Sequence, residues 1–251
     1  MPIPSLEDLL TAACHFGHPR AKWNPKMAPY LYKVERGIHI FDLVKTHEHL
    51  TNACKELQNL LADGKTILFV STKQLSIPFI EHIGLTLHQP TVIKKWIAGL
   101  LTNWTTIHKR LQYYLDLKKS FQTGEVEKYT KKEQTMLRKE LVKLDTALGG
   151  VSSMTELPNA LFVVDAVLDK VAVAEANKIG IPVYGICDSN ANPDRFKICI
   201  PANDDTIKSV EIILKTVEEE LKKTPKKDPK ESKKKPVEES IKEPTPTYKT
   251  Y

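Results

Sequence analysis

Residues 14–46, CHFGHPRAKWNPKMAPYLYKVERGIHIFDLVKT, hold the densest chemistry in the chain. Arg20, Lys22, Lys26, Lys33 and Arg36 are interleaved with Trp23, Tyr30 and Tyr32, while Pro19, Pro25 and Pro29 interrupt any helix. A core does not select this mixture, because Lys and Arg are rarely buried unpaired. A polyanion does: cations neutralise phosphates, aromatic faces stack on exposed bases or sugars, and prolines hold the backbone extended. Over residues 15–36 five bases stand against one acid, Glu35. The segment ends in Ile38, Ile40, Phe41 and Leu43, an apolar dock onto a core, with His39 inside it as a satisfied, partly buried residue. A surface loop with chance charges is the competing reading.

A second set of reactive residue types follows short apolar runs. Ser71-Thr72-Lys73 comes after TILFV, Asp165 closes LFVVD, and Asp188-Ser189-Asn190 follows PVYGIC. At the carboxyl ends of parallel strands such residues invite comparison with a phosphate or Mg²⁺ site, so a doubly wound enzyme using Lys73, Asp165 and Asp188 is the alternative function. The sequence contains no GxGxxG, no GxxxxGK[ST] and no nucleophile elbow. Asp and Asn at strand ends also serve as caps and turn formers. The expectation is therefore that Asp188, Ser189 and Asn190 make a turn, that Asp165 caps the next helix, and that no catalytic residue is present. Cys14, His15 and His18, or His47 and His49, have the donor types for zinc, but two or three ligands without a second cluster fall short of a structural site. No metal or cofactor is expected. The four cysteines show no CxxC spacing and read as reduced thiols.

The elements that must position these residues alternate. Helical periodicity covers 5–15 and 43–63; strands are expected at 66–71, 161–165, 182–187 and 197–200; helices at 74–84, 168–179 and 204–221, the last capped by Asp204 and Asp205. Near-continuous apolar strands suit a parallel sheet covered on both faces, hence an α/β fold with a doubly wound sheet. Residues 104–148 are polar and helical around Gly124. Ile107, Leu111, Tyr114 and Lys118 make one narrow stripe, and Leu137, Leu141, Leu144 and Leu148 another. That pattern reads as an inserted antiparallel hairpin, a coiled coil projecting from the body, with Gly149 and Gly150 returning the chain to the sheet. The division expected is 1–45 as an RNA-contacting segment, 46–103 and 149–221 as the sheet domain, 104–148 as the hairpin, and 222–251 as a Lys/Pro-rich tail too poor in aliphatics to fold.

With 251 residues and 41% hydrophobic content, the chain is long enough for a sizeable core, and no apolar run reaches bilayer length. MPIPSLEDLL lacks the basic start of a secretory signal, so the protein is expected to work where it is made. The net charge of +6 is uneven: residues 222–251 sum to +5, residues 15–36 to +4 and residues 108–145 to +4. The remainder is acidic, so polyanion binding would be confined to one side.

CHFGH (14–18), WNPKM-PY (23–30), IHIFDLVKT (38–46), the strand–STK unit (70–73), KKWIAGLLTNW (94–104), TKKE (130–133), LP-ALFVVD (157–165), AVAEANKIGIPVYGICDSNANP (172–193) and IPANDD (200–205) resemble, in order, the bacterial-type small ribosomal subunit protein two family. The resemblance covers residues 5–215. It implies a flavodoxin-like sheet with an inserted helical hairpin, no enzymatic activity, and a structural role binding small-subunit rRNA between head and body. Neighbouring ribosomal proteins, among them ribosomal protein one, are the implied protein partners. The implied location is the cytoplasmic ribosome of a bacterium, or that of an organelle encoding its own copy. Carried onto these motifs, the expected rRNA-binding residues are His15, His18, Arg20, Lys22, Trp23, Asn24, Lys26, Tyr30, Arg36, Lys73, Lys95, Trp96, Thr102, Asn103, Lys109 and Arg110. Lys95 stands where the family pattern has Arg, which keeps the charge without planar bidentate recognition. Ser71 and Ala202 likewise replace family glycines.

Overall fold

The structure is a computed structural model that describes residues 3–224; the expectation for the tail falls almost entirely outside them. Helix α1 (Leu6–Thr11) opens on a capping box between Ser5 and Asp8. The segment after it forms a small antiparallel sheet of β1 (Phe16–Pro19), β2 (Leu31–Glu35) and β3 (Ile38–Phe41), in the order β1-β3-β2, with two short 3₁₀ turns at Arg20–Lys22 and Pro25–Tyr30. Arg36 and Gly37, at φ +50° and +80°, make the hairpin turn between β2 and β3. The prolines therefore shape turns between strands, and the segment they were expected to hold extended is a small paired sheet. They lie at the end of β1 and in the second 3₁₀ turn, where the ladder between β2 and β3 needs no donor from them.

After α2 (Leu43–Ala62) the main sheet begins. Its strands β4 (Ile67–Val70), β5 (Thr91–Val92), β6 (Ala160–Val163), β7 (Val183–Cys187) and β8 (Ile198–Pro201) are all parallel, in the order β5-β4-β6-β7-β8. Renumbered within the sheet this is 2-1-3-4-5, the flavodoxin-type doubly wound order. The connecting helices are α3 (Ile77–Leu87), α4 (Trp104–Gln122), α5 (Lys131–Leu148), α6 (Lys170–Ile179) and α7 (Ile207–Lys222). Alternate residues of each strand enter opposite layers. Ile67, Phe69 and Phe162 pack with Leu50 and Leu57 of α2, Ile80 of α3 and Val210 and Ile213 of α7. Leu68, Val70, Leu161 and Val163 pack with Ile107 and Leu111 of α4, Leu144 and Leu148 of α5, and Ala172 and Val173 of α6. Each such fully buried side chain contributes about 1.5–3 kcal/mol.

Four expectations are corrected. Strand β5 is two residues long, too short to show periodicity, and Gly150 packs so closely on it that a Cβ would lie 2.2 Å from the Thr91 carbonyl oxygen. Helix α1 stops at Thr11, four residues early, because Ala13 takes a left-handed φ of +61° that turns the chain into β1. Along α4 the stripe runs Ile107, Leu111, Tyr114, Leu117; Lys118 points to solvent and reaches back to the Tyr114 hydroxyl. Helix α7 begins after Thr206, and Asp204 and Asp205 turn instead to Lys73.

Helices α4 and α5 lie side by side. Tyr114 Oη donates to Asp145 at 2.5 Å and Tyr113 Oη to Glu140 at 3.2 Å. Thr130 and Glu133 form a capping box at the start of α5, within the TKKE motif. Ile107, Leu144, Leu148 and Val151 make their base continuous with the apolar layer of the sheet.

Candidate nucleic-acid interface

The small antiparallel sheet is a roof over the carboxyl ends of β7 and β8. The backbone N–H of His18 donates to Ser189 Oγ at 2.8 Å and to Asp188 Oδ1 at 3.2 Å, and that of Asn24 donates to the Ser189 carbonyl at 2.7 Å. Gly17 permits this approach, since a Cβ there would sit 2.9 Å from Ser189 Oγ. Beneath, Met27 and Phe41 pack on Cys187, Ala191 and Cys199. Trp23 stacks on His39 at 4.8 Å between ring centroids. His39 is buried with neither ring nitrogen hydrogen-bonded, which corrects the expectation of a satisfied residue. Burial lowers its pKa, with a smaller push from Arg20, so it is held by ring contact as a neutral imidazole.

The strand ends are closed by their own ionic network. Lys73 Nζ lies 2.8 Å from Asp204 Oδ1, 2.7 Å from Asp205 Oδ1 and 3.2 Å from Asp165 Oδ2. Burial disfavours the ammonium, but the hydrogen bonds to Asp204 and Asp205 outweigh it, and its pKa is raised. Burial, then repulsion from Asp165 and Asp188, pushes Asp204 up to about 7 against the pull of Lys73. His18 Nδ1 approaches Asp188 Oδ1 to 3.0 Å, off the line of a well-aligned hydrogen bond, and Nε2 lies 3.6 Å from Asp205 Oδ2. The Asp188 contact raises the imidazole's pKa against burial, with Asp204 and Asp205 adding to it. Asp188 accepts from the Ser189 N–H and holds the turn through Ala191; Asp165 Oδ1 accepts from the N–H groups of Val167 and Leu168 at 2.9 and 2.7 Å. Asp188 thus takes the turn role expected of it, whereas the cap expected of Asp165 is corrected: it closes a turn ahead of α6, whose N-cap position is Asp169.

Doubly wound enzymes bind ligands at the switch point, here the crevice between β4 and β6. Thr72 donates through N–H and Oγ1 to Asp169 at 3.1 and 2.8 Å, bridging that crevice beside the Lys73–Asp165 pair. The donor atoms of His18, Asp188 and Asp205 lie within 4.8 Å of one another, the one grouping of three with metal-ligand spacing among the described residues. Cys14 and His15 are not in it. Cys14 is buried, and burial raises its thiol to about 11.

The sequence-derived residues fall into three groups. Arg20, Lys22, Arg36, Lys95, Asn103, Lys109 and Arg110 are exposed, and none of these cations is ion-paired among the described residues. His15, Trp23, Asn24 and Tyr30 are half-buried in the roof; Asn24 caps the 3₁₀ turn and Tyr30 meets His49 edge-on. His18, Lys26, Lys73, Trp96 and Thr102 are engaged by acids of the chain itself: Lys26 in an exposed pair with Asp194, Trp96 and Thr102 with Glu175. Sequence reasoning missed Glu175, Asp169 and Asp194. A lone acid among the apolar residues of AVAEANK signalled Glu175; nothing local marked the other two.

The site is thus a doubly wound sheet whose crevice is bridged by Thr72 and Asp169, beside a roof whose cations Arg20, Lys22 and Arg36 have no ion-pair partner among the described residues. A family model described as Ribosomal protein S2 matches residues 9–224. The small ribosomal subunit protein uS2 of Parabacteroides distasonis is 40% identical over 219 residues, covering 87% of this chain and 79% of that protein. Protein uS2c of Rhodomonas salina is 40% identical over 223 residues, 89% of this chain and 92% of that one. Protein uS2 of Buchnera aphidicola is 39% identical over 223 residues, covering 89% and 91%. The chain belongs to the ribosomal protein S2 family, whose members are structural proteins and not enzymes.

Proposed function

We infer that this chain is a structural constituent of the small ribosomal subunit that binds rRNA through its roof and the segments beside it. The observation that supports this most directly is the set of exposed, unpaired cations Arg20, Lys22 and Arg36 on a sheet fixed to the scaffold at His18 and Asn24. Lys95, Asn103, Lys109 and Arg110 extend the contact, Trp23 and Tyr30 supply stacking faces, and His18, Lys26, Lys73, Trp96 and Thr102, each held by acids of the chain itself, keep the surface in shape. The pair α4–α5 acts as a coiled-coil arm with a basic face for RNA or a neighbouring ribosomal protein, ribosomal protein one among the candidates. No described helix is long and apolar enough to cross a membrane, in keeping with work in the ribosome.

Replacing Arg20, Lys22 and Arg36 together with Ala tests the reading, since exposed charges contribute little to folding. Binding to naked small-subunit rRNA is expected to weaken. The slope of log affinity against log salt should become shallower by about two, with the urea midpoint unchanged. Wild-type affinity and slope in that variant would overturn it.

A further inference from the structure

Glu175 is a buried carboxylate, 8% exposed, with no Lys or Arg ion-paired to it among the described residues. Its charge is met by five neutral donors, all from one loop. Oε1 accepts from Trp96 Nε1 at 3.0 Å and the Gly99 N–H at 2.7 Å; Oε2 accepts from the N–H groups of Leu101 and Thr102 at 3.1 and 3.2 Å and from Thr102 Oγ1 at 3.1 Å. Burial pushes this carboxyl up, but these bonds outweigh it and hold it below its ordinary range. A carboxylate taken from water without a cation is costly unless donors surround it. Residues 94–103 contain no helix or strand, so those amides have no ladder partner of their own. Anion and loop complete each other: the N–H groups converge on one centre, as they do around bound anions in backbone nests.

The loop also carries function-bearing residues. Lys94 and Lys95 are exposed on the rim of an open notch of about 270 Å³ shared with Thr72, Asp169 and Leu168. Asn103 leads into α4, whose first turns bear Lys109 and Arg110. We propose that Glu175 is a positioning residue for RNA binding: it acts as a built-in anion that folds the 96–102 loop around itself and so fixes Lys94 and Lys95 for contact with RNA phosphates. The proposal rests on the rRNA-binding reading and adds a residue that never touches RNA.

The test uses the full chain and naked small-subunit rRNA. Glu175→Gln keeps the shape but turns an amide NH₂ toward the loop's donors. Exchange of the Gly99, Leu101 and Thr102 amides should quicken at least tenfold, and affinity should fall about tenfold. The salt slope should shrink as much as it does in the Lys94→Ala/Lys95→Ala variant, and adding those two changes to Glu175→Gln should cost less than a further twofold. A merely structural loss would lower the folded fraction and leave the slope of the folded protein alone. Thr102→Val, which removes one donor, carries the same comparison at smaller size if Glu175→Gln does not fold. Quickened amides with unchanged affinity, or losses that multiply, would overturn the proposal. If the lysine variants and the Arg20/Lys22/Arg36 variant all bind like wild type, the rRNA reading itself has failed.

Discussion

His18 joins roof to sheet with both ring nitrogens facing carboxylates, Nδ1 toward Asp188 and Nε2 toward Asp205, with Asp204 and the Lys73 ammonium beyond. Only the imidazolium satisfies both sides. Because its pKa in the fold is raised above the ordinary 6.5, the stabilisation it contributes is complete below pH 6.5 and is lost as pH rises through the folded value. Asp204, raised to about 7, makes stability fall with pH at lower values, between about 4 and 7, where the folded chain holds a proton that the unfolded chain releases. Above pH 7 that acid falls away, and towards pH 9 the buried thiols of Cys14 and Cys54, raised above their ordinary value, add a loss of stability that any His18 variant shares. From pH 7 to 9 the wild-type protein is therefore expected to lose on the order of 1 kcal/mol more unfolding free energy than His18→Asn. Urea midpoints across that interval decide it; equal slopes in the two proteins would show that the contact is not ionic.

At the scale of elements, α4 and α5 are continuous at their base with one apolar layer of the sheet. Leu111, Tyr114, Leu144 and Leu148 are buried there, whereas Leu137 and Leu141 further out are only half-buried. Replacing residues 115–139 with a short Gly/Ser linker should therefore lower the melting temperature by only a few degrees, as monitored by circular dichroism. Removing 108–145 would uncover Ile107, Leu148 and Val151 and destabilise the sheet by several kcal/mol. Four of the five main-sheet strands were legible in the sequence because strands buried on both faces must be apolar throughout, as ILFV and ALFV are. Arg20, Lys22 and Arg36 were legible as exposed cations because a core rejects them. The roof was not, since β1 and β2 are largely exposed and so carry no continuous apolar run, and the sheet is anchored at His18 by Ser189 and Asp188 some 170 positions away. Lys73 misled for a related reason: a lysine after a strand looks free until the fold brings three aspartates to it.

For the whole molecule, the four cysteines report on closure. All are buried and unpaired, with burial raising Cys14 to about 11 and Cys54 to about 12. A thiol-specific colour reagent at pH 8 should register less than one equivalent in the native protein and four after denaturation. Early release of two would locate an opening at Cys187 and Cys199, directly beneath the roof. The roof's position also imposes an order on the making of the protein. Its residues leave the synthesising ribosome first, yet their anchors at Asp188, Ser189 and Asp205 emerge near the end. A nascent or truncated chain lacking β7 and β8 has the cations but no platform to arrange them. The surface proposed for RNA is thus complete only after β7 and β8 have emerged, and a chain cut short before them is expected to lack it.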